Sequence, residues 1–312
     1  MFSVNRNLHE TLKIAWHRLF VLGQQFGWDV LPRHFYSSIP DIGELRRTAS
    51  WRRASTMVGV GGADLDAQIR FVRECCSESR QERLRRGGIY EQACRENGDA
   101  GYGAVESDVL FCFITAKRPR RIVQIGCGVS TAVMLLAAQE AGYQPDLLCV
   151  EPFPTRYLVA AAERRWITLV REKAQNVELG TLTNLTAGDF LFVDSTHAVR
   201  PGGEVNRLIL EVLPRLRAGV FAHFHDIYFP YDYPMSVLNT LFFPEESTLL
   251  HAFLINNSRW TIAASLSMLH HARPDELKSL LPNYRPAAMQ DGLLGEPDSP
   301  GHFPSSVYLC AT

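Results

Sequence analysis

A short apolar strand, a glycine turn and the start of a helix follow one another at Val123-Gln124-Ile125-Gly126-Cys127-Gly128-Val129-Ser130-Thr131. No other stretch restricts the fold of this chain as strongly. Gly126 and Gly128 let the backbone turn tightly and approach a ligand closely. The helix that opens behind them offers unpaired N–H groups at its first turn. A second apolar strand, Leu147–Val150, ends in Glu151, 23 residues after Gly128. A carboxylate at that position can accept protons from both ribose hydroxyls, so the pair of signals fits an adenosine cofactor. A nicotinamide dinucleotide site usually asks for a third glycine where this chain has Thr131, which lowers the case for that cofactor.

Strand and helix patterns alternate from residue 120 onward. Arg121–Ile125, Leu147–Val150, Ile167–Arg171, Phe190–Val193 and Val220–Phe224 are short apolar runs. Between them lie helical stretches at Thr131–Ala141, Thr155–Arg165 and Val205–Leu213, with Ser130 as the expected N-cap of the first and Gly142 as its stop. This alternation predicts an α/β chain with a Rossmann-like, mostly parallel sheet and helices on both faces. Farther on, Leu249–Leu254 is expected to be helical, Trp260–Ala264 a strand and Ser305–Leu309 an edge strand. The Pro-, Gly- and Asp-rich segment 282–304 reads as a loop.

The first 100 residues differ. They carry Arg46, Arg47, Arg52 and Arg53, then Arg80, Arg83, Arg85 and Arg86, with helical spacing at Leu8–Leu22 and at Leu65–Cys76. The expected division is a mainly helical N-terminal extension or cap over 1–100 and a Rossmann-like domain over 101–312. The Leu8–Leu22 face would pack on the body of the protein or on a partner subunit, so a homo-oligomer formed through the extension is one expectation. The net charge of −1 does not point to nucleic acid or to an acidic membrane surface. No apolar run approaches the roughly 20 residues that span a bilayer. Seven cysteines without a C-x-x-C pair, and an N-terminus interrupted by Asn5, Arg6, His9, Glu10 and Lys13, suggest reduced thiols, no signal peptide and a cytoplasmic protein.

Asp194, His197, His223, His225 and Asp226 all fall at or after strand ends. Open parallel sheets bind ligands at their carboxyl edge. His223 and His225 are two apart on one strand and so share a side. The segments Leu191-Phe-Val-Asp194-Ser-Thr-His197 and Phe221-Ala-His223-Phe-His225-Asp226-Ile-Tyr-Phe-Pro-Tyr-Asp-Tyr-Pro234 resemble class I S-adenosylmethionine-dependent methyltransferases. Within these, they are similar to a bacterial branch with a DSxH … HFHDIxxPxDYP pattern. The resemblance covers about residues 100–270.

The resemblance implies S-adenosylmethionine as cofactor and a small-molecule acceptor, with O-methylation of a hydroxyl as the leading reaction. It implies a cofactor set of Tyr102, Glu106, Gln124, Gly126, Gly128, Ser130, Thr131, Glu151, Gln175, Asn176 and Asp194. Gln175 and Asn176 would lie near the adenine, and Asp194 beside the sulfonium. His225, Asp226 and His197 are the catalytic candidates, with His225 as base. Metal-dependent members of this fold carry a divalent ion at the ends of the fourth and fifth strands, and here its ligands would be Asp194, His225 and Asp226. One departure is Gln124, where the family usually has an acid. It leaves open a second reading, a non-catalytic or repurposed cofactor-binding protein. A nicotinamide-dependent oxidoreductase is a third.

Overall fold

The computed structural model describes residues 2–48, 50–286 and 303–312. The chain divides into two compact units, Met1–Arg47 and Thr48–Thr312. The first holds helices α1 (Phe2–Gln25) and α2 (Ile42–Arg47). Leu12, Trp16, Leu19, Phe26 and Trp28 are all exposed there. Among the described residues no helix is long and apolar enough to cross a membrane.

The second unit opens with α3 (Leu65–Cys75), α4 (Glu78–Arg85), α5 (Ile89–Asn97) and α6 (Ala104–Lys117). Asp64 caps α3 by accepting from the Ala67 N–H at 2.6 Å, and Ile69, Val72 and Cys75 form its buried face. The unit therefore reaches back beyond residue 101, where the sequence reading began the Rossmann-like domain. The physical reason is that the apolar faces of α3 and α5 are buried in the same core as α6. Gln68, fully buried on α3, donates to the Gly62 carbonyl and accepts from the Ser265 N–H at 2.9 Å.

Then come β1 (Arg121–Ile125), α7 (Val129–Glu140), β2 (Asp146–Val150), α8 (Arg156–Glu163), β3 (Thr168–Val170), α9 (Leu179–Thr183), β4 (Phe190–Val193) and α10 (Glu204–Arg207). The chain continues through β5 (Phe221–Phe224), α11 (Glu246–Leu254), β6 (Trp260–Ser265), α12 (Leu266–Ala272), α13 (Pro274–Leu280) and β7 (Val307–Ala311). The helical face expected at Val205–Leu213 is buried, but it runs through α10 and then a wider turn, Leu208–Val212.

Among the described residues, seven strands form one sheet in the order β3-β2-β1-β4-β5-β7-β6. The first five are parallel, and β7 runs antiparallel to both β5 and β6. Ser305–Leu309, expected at the sheet edge, thus contributes β7 to its interior. Tyr308 and Leu309 are fully buried on opposite faces, which an edge strand could not provide. The loop expected at 282–304 lies, over 287–302, outside the described residues.

Period-two alternation sorts the sheet into two cores. Val123, Ile125, Leu191, Val193 and Phe224 face α9–α11, while Ile122, Cys149, Phe190 and Phe192 face α5–α8. On the second face the register aligns Cys149, Gln124, Phe192, His223 and Tyr308 in one row. Phe192 stacks on His223 at 4.4 Å, and Tyr308 meets His223 edge-on at 4.8 Å. Each buried aromatic of such a row contributes roughly 1.5–3 kcal/mol through lost apolar surface. The row floors the carboxyl edge of the sheet, where the next residues of β1, β2, β4 and β5 emerge.

Candidate active site

The glycine turn is held from behind. Gln124 is fully buried, and its amide nitrogen donates to the Gly126 carbonyl and the Ser130 hydroxyl, each at 3.0 Å. Its amide oxygen accepts from the Thr131 hydroxyl at 3.0 Å. A carboxylate at this position could not make the first of these bonds, because it has no proton to give a carbonyl. Gln124 and Thr131 therefore brace the turn rather than face a ligand. Gly128 is the N-cap of α7, and its N–H donates to Thr131 Oγ1 at 3.1 Å. Ser130, expected as the cap, instead lies within the helix, where its hydroxyl serves Gln124.

Gly126 has a φ of 77°, and a Cβ there would overlap the carbonyl oxygen of Asp194. Only glycine permits this closeness of the β1 and β4 ends. Gly126→Ala is expected to lower stability by about 3 kcal/mol or more. Urea melts monitored by circular dichroism would check it; a midpoint equal to wild type would contradict the closeness of the two strand ends.

Glu151 follows β2. Its two carboxylate oxygens accept from the N–H groups of Cys127, at 3.1 Å, and Phe153, at 2.9 Å. Two adjoining cavities, of ≈ 380 and ≈ 210 Å³, share Gly126, Glu151 and Asp194 in their walls. The larger also takes in Phe153, Lys173, Gln175 and Arg200. The smaller takes in Asn97, Tyr102, Gly128 and Ser130. A larger cavity of ≈ 690 Å³, near Tyr143, Tyr157 and Trp166, contains none of the candidate residues.

Two other expected contacts lie elsewhere. Asn176 donates to Glu172 at 2.9 Å and faces a separate shallow hollow beside Gly202 and Gly203. Glu106 is buried, and its carboxylate accepts from the Ser305 N–H at 2.9 Å. Burial raises the Glu106 pKa, an effect that His225 partly offsets.

The ends of β4 and β5 converge on His197. Its backbone has a φ of 57°, a left-handed conformation uncommon for non-glycine residues. Its carbonyl accepts from the N–H groups of Glu245 and Glu246, at 3.0 and 3.2 Å, tying this loop to the start of α11. The ring is buried. Nδ1 lies 2.8 Å from Glu246 Oε2, and Nε2 lies 3.4 Å from Asp194 and 3.6 Å from Asp226. Burial opposes a charge on the ring, yet Asp194, Glu246 and Asp226 outweigh it and lift its pKa well above the ordinary 6.5. Burial raises the Glu246 pKa, an effect that His197 only partly offsets. Glu246 was not singled out in the sequence, where nothing in the irregular stretch after residue 234 marks it.

His225 sits just past β5, with Nδ1 3.2 Å from the Ser306 hydroxyl and Nε2 3.7 Å from Asp226. Its ring packs on Tyr102 at 4.9 Å. Burial lowers its pKa, but Asp194, Asp226 and Glu106 reverse the sign, so it stands above 6.5. Asp226, also left-handed at φ 52°, accepts from Ser305 at 3.0 Å. Burial raises the Asp226 pKa, while His225 and His197 lower it further and leave it ionised. His223 is different. Burial and the neighbouring His225 push its pKa well below 6.5, and its Nε2 lies 3.2 Å from the Tyr102 hydroxyl. It is a neutral packed histidine. In the segment after Asp226, Tyr228 and Phe229 are buried, and Phe229 packs on His251.

The metal expectation is corrected here. Among the described residues no group of three His, Cys, Asp or Glu side chains is arranged to hold a metal ion. Asp194, His225 and Asp226 do converge, but the His197 ring lies against both carboxylates.

Residues 123–227, from within β1 to just past β5, match the model of a family described as a methyltransferase domain. This span of the chain is similar to a methyltransferase domain. The fold is similar to that of the O-methyltransferase TomG from Streptomyces achromogenes, involved in tomaymycin synthesis and solved with S-adenosylmethionine. The two share 15% identity over 72% of this chain and 89% of that one, at a TM-score of 0.44. An O-methyltransferase from Bacillus cereus, solved with S-adenosylhomocysteine, shares 12% identity over 76% and 92%, at 0.41. The methyltransferase PaMTH1 from Podospora anserina, also solved with S-adenosylhomocysteine, shares 16% over 75% and 93%, at 0.37. No curated protein matches the chain.

Proposed function

We propose that this methyltransferase uses S-adenosylmethionine to methylate a hydroxyl of a small molecule, and that His225 takes the hydroxyl proton. The observation that carries the reading is the meeting of Gly126, Glu151 and Asp194 in the walls of two adjoining cavities, with His225 beside Tyr102 at their margin. The residues fit such a cofactor. Glycine backbone and the first turn of α7 face the smaller cavity, and Glu151 offers a carboxylate for the ribose hydroxyls. When bound, S-adenosylmethionine supplies a methyl group on an electron-poor sulfonium. Asp194 lends a negative charge at the cavity junction. The Ser306 hydroxyl fixes His225 Nδ1 and leaves Nε2 to accept a proton.

Calorimetric titration with S-adenosylmethionine tests the cofactor assignment. Wild type is expected to bind, and Glu151→Ala to bind about 30–150-fold more weakly, a loss of about 2–3 kcal/mol for a charge-assisted contact. Glu151→Gln, which retains an acceptor for the Cys127 N–H, separates loss of the ligand contact from loosening of the turn. Equal affinity in wild type and Glu151→Ala would remove the ribose assignment. No binding by wild type would remove the cofactor.

A further inference from the structure

The ≈ 690 Å³ cavity shares no lining residue with the two cavities that meet at Gly126 and Glu151. The later turns of α7 supply Leu135 and Leu136 to its wall, and the turn into β2 supplies Tyr143. Tyr157 comes from α8, and Arg164 and Trp166 from just after it. The two leucines and two tyrosines are only partly buried, and Trp166 is 42% exposed. Three aromatic rings and two leucines around a space of this size match the make-up of a small-molecule pocket. The charged groups of the wall differ in how far they are already engaged. Glu96 accepts from Gln92 at 2.9 Å and holds the Tyr157 hydroxyl. Arg164 instead lies over the Trp166 ring at 4.9 Å and, among the described residues, forms no ion pair. A guanidinium lying over an indole keeps its N–H edge free for an anionic group.

We propose that this cavity is a second ligand site, apart from the cofactor cavities, and that it takes a small flat aromatic anion. The rings of the ligand lie against Trp166, Tyr143 and Tyr157, where offset and edge contacts between aromatic groups are favourable. Leu135 and Leu136 cover its apolar surface, and its anionic group meets Arg164. Neither cofactor nor acceptor enters the test, so the methyl-transfer reading and this site can fail separately.

The experiment is a calorimetric titration of the full chain with 2-naphthoate and, separately, with its uncharged amide, 2-naphthamide. Wild type is expected to bind one 2-naphthoate with a Kd below about 1 mM, as suits a ligand of this size. Trp166→Ala removes one wall and should weaken both ligands at least about fivefold. Arg164→Gln should weaken 2-naphthoate about three- to tenfold and leave 2-naphthamide within about twofold, because only the anion loses a charged partner. Both side chains are exposed, so neither change should disturb the core. Circular dichroism checks that each variant is folded. If Trp166→Ala does not fold, Arg164→Gln carries the test alone.

Several results would overturn the proposal. One is wild type that binds no 2-naphthoate below about 1 mM. Another is binding that the folded variants leave unchanged, which would put the probe elsewhere on the chain. Equal weakening of both ligands by Arg164→Gln would remove the anion from the assignment. A wild-type dimer in sedimentation that Trp166→Ala turns into a monomer would give the cavity to a second copy of the chain instead.

Discussion

His225→Gln is expected to lower kcat about 10²–10⁴-fold, the usual contribution of a positioned general base, or about 3–5 kcal/mol of barrier. Glutamine fills much of the same space and can still hydrogen-bond Ser306, but it has no basic nitrogen. S-adenosylmethionine affinity should change little, because His225 lines neither cavity that holds Glu151. The rate is read as S-adenosylhomocysteine formation with a panel of phenols and aliphatic alcohols. The pH profile gives an independent check. Asp194, Asp226 and Glu106 hold the His225 pKa above 6.5 against the opposing effect of burial. Only the neutral ring accepts a proton, so kcat/KM should be low below that pKa and rise through it as pH increases. A His225→Gln enzyme within threefold of wild type, or a flat profile between pH 6 and 9, would assign proton removal to another group.

Glu246→Ala should cost about 3–5 kcal/mol of stability, as expected when one member of a buried ion pair is removed. Glu246 is fully buried, and its 2.8 Å bond to Nδ1 is the shortest of the three carboxylate approaches to His197. Its removal also releases the loop after β4, whose carbonyl is tied to the start of α11. For a unit of this size, the loss corresponds to a fall in Tm on the order of 10 °C. Glu246→Gln keeps an acceptor for Nδ1 and should fall between the two. Differential scanning calorimetry reads both variants. A Glu246→Ala chain melting within 2 °C of wild type would mean that the His197 cluster does not depend on this carboxylate.

The order β1-α7-β2-α8-β3 and the positions of Gly126 and Glu151 were legible because they depend on neighbours in sequence. Apolar runs of strand length, a glycine where the backbone must reverse, and an acid directly after a strand are local signals. The same holds for His223 and His225, whose two-residue spacing sets them on one side of β5. Other features were not legible. Ser130 looked like a cap because it precedes the helical run, but Gln124 claims its hydroxyl from inside the sheet. Ser305–Leu309 reads as a strand of ordinary polarity, and nothing in its pattern says that two strands flank it.

Residue identity and local spacing therefore determined by themselves that this chain builds a parallel α/β sheet with a cofactor-type turn at its carboxyl edge. The tertiary structure alone decided what sits at that edge. Glu246 reaches His197 across 49 residues of chain, and Ser306 reaches His225 across 81. Such pairings follow from how β7 and α11 pack after the strands have formed. The raised pKa of His197 likewise arises only where three carboxylates converge on one ring and outweigh its burial.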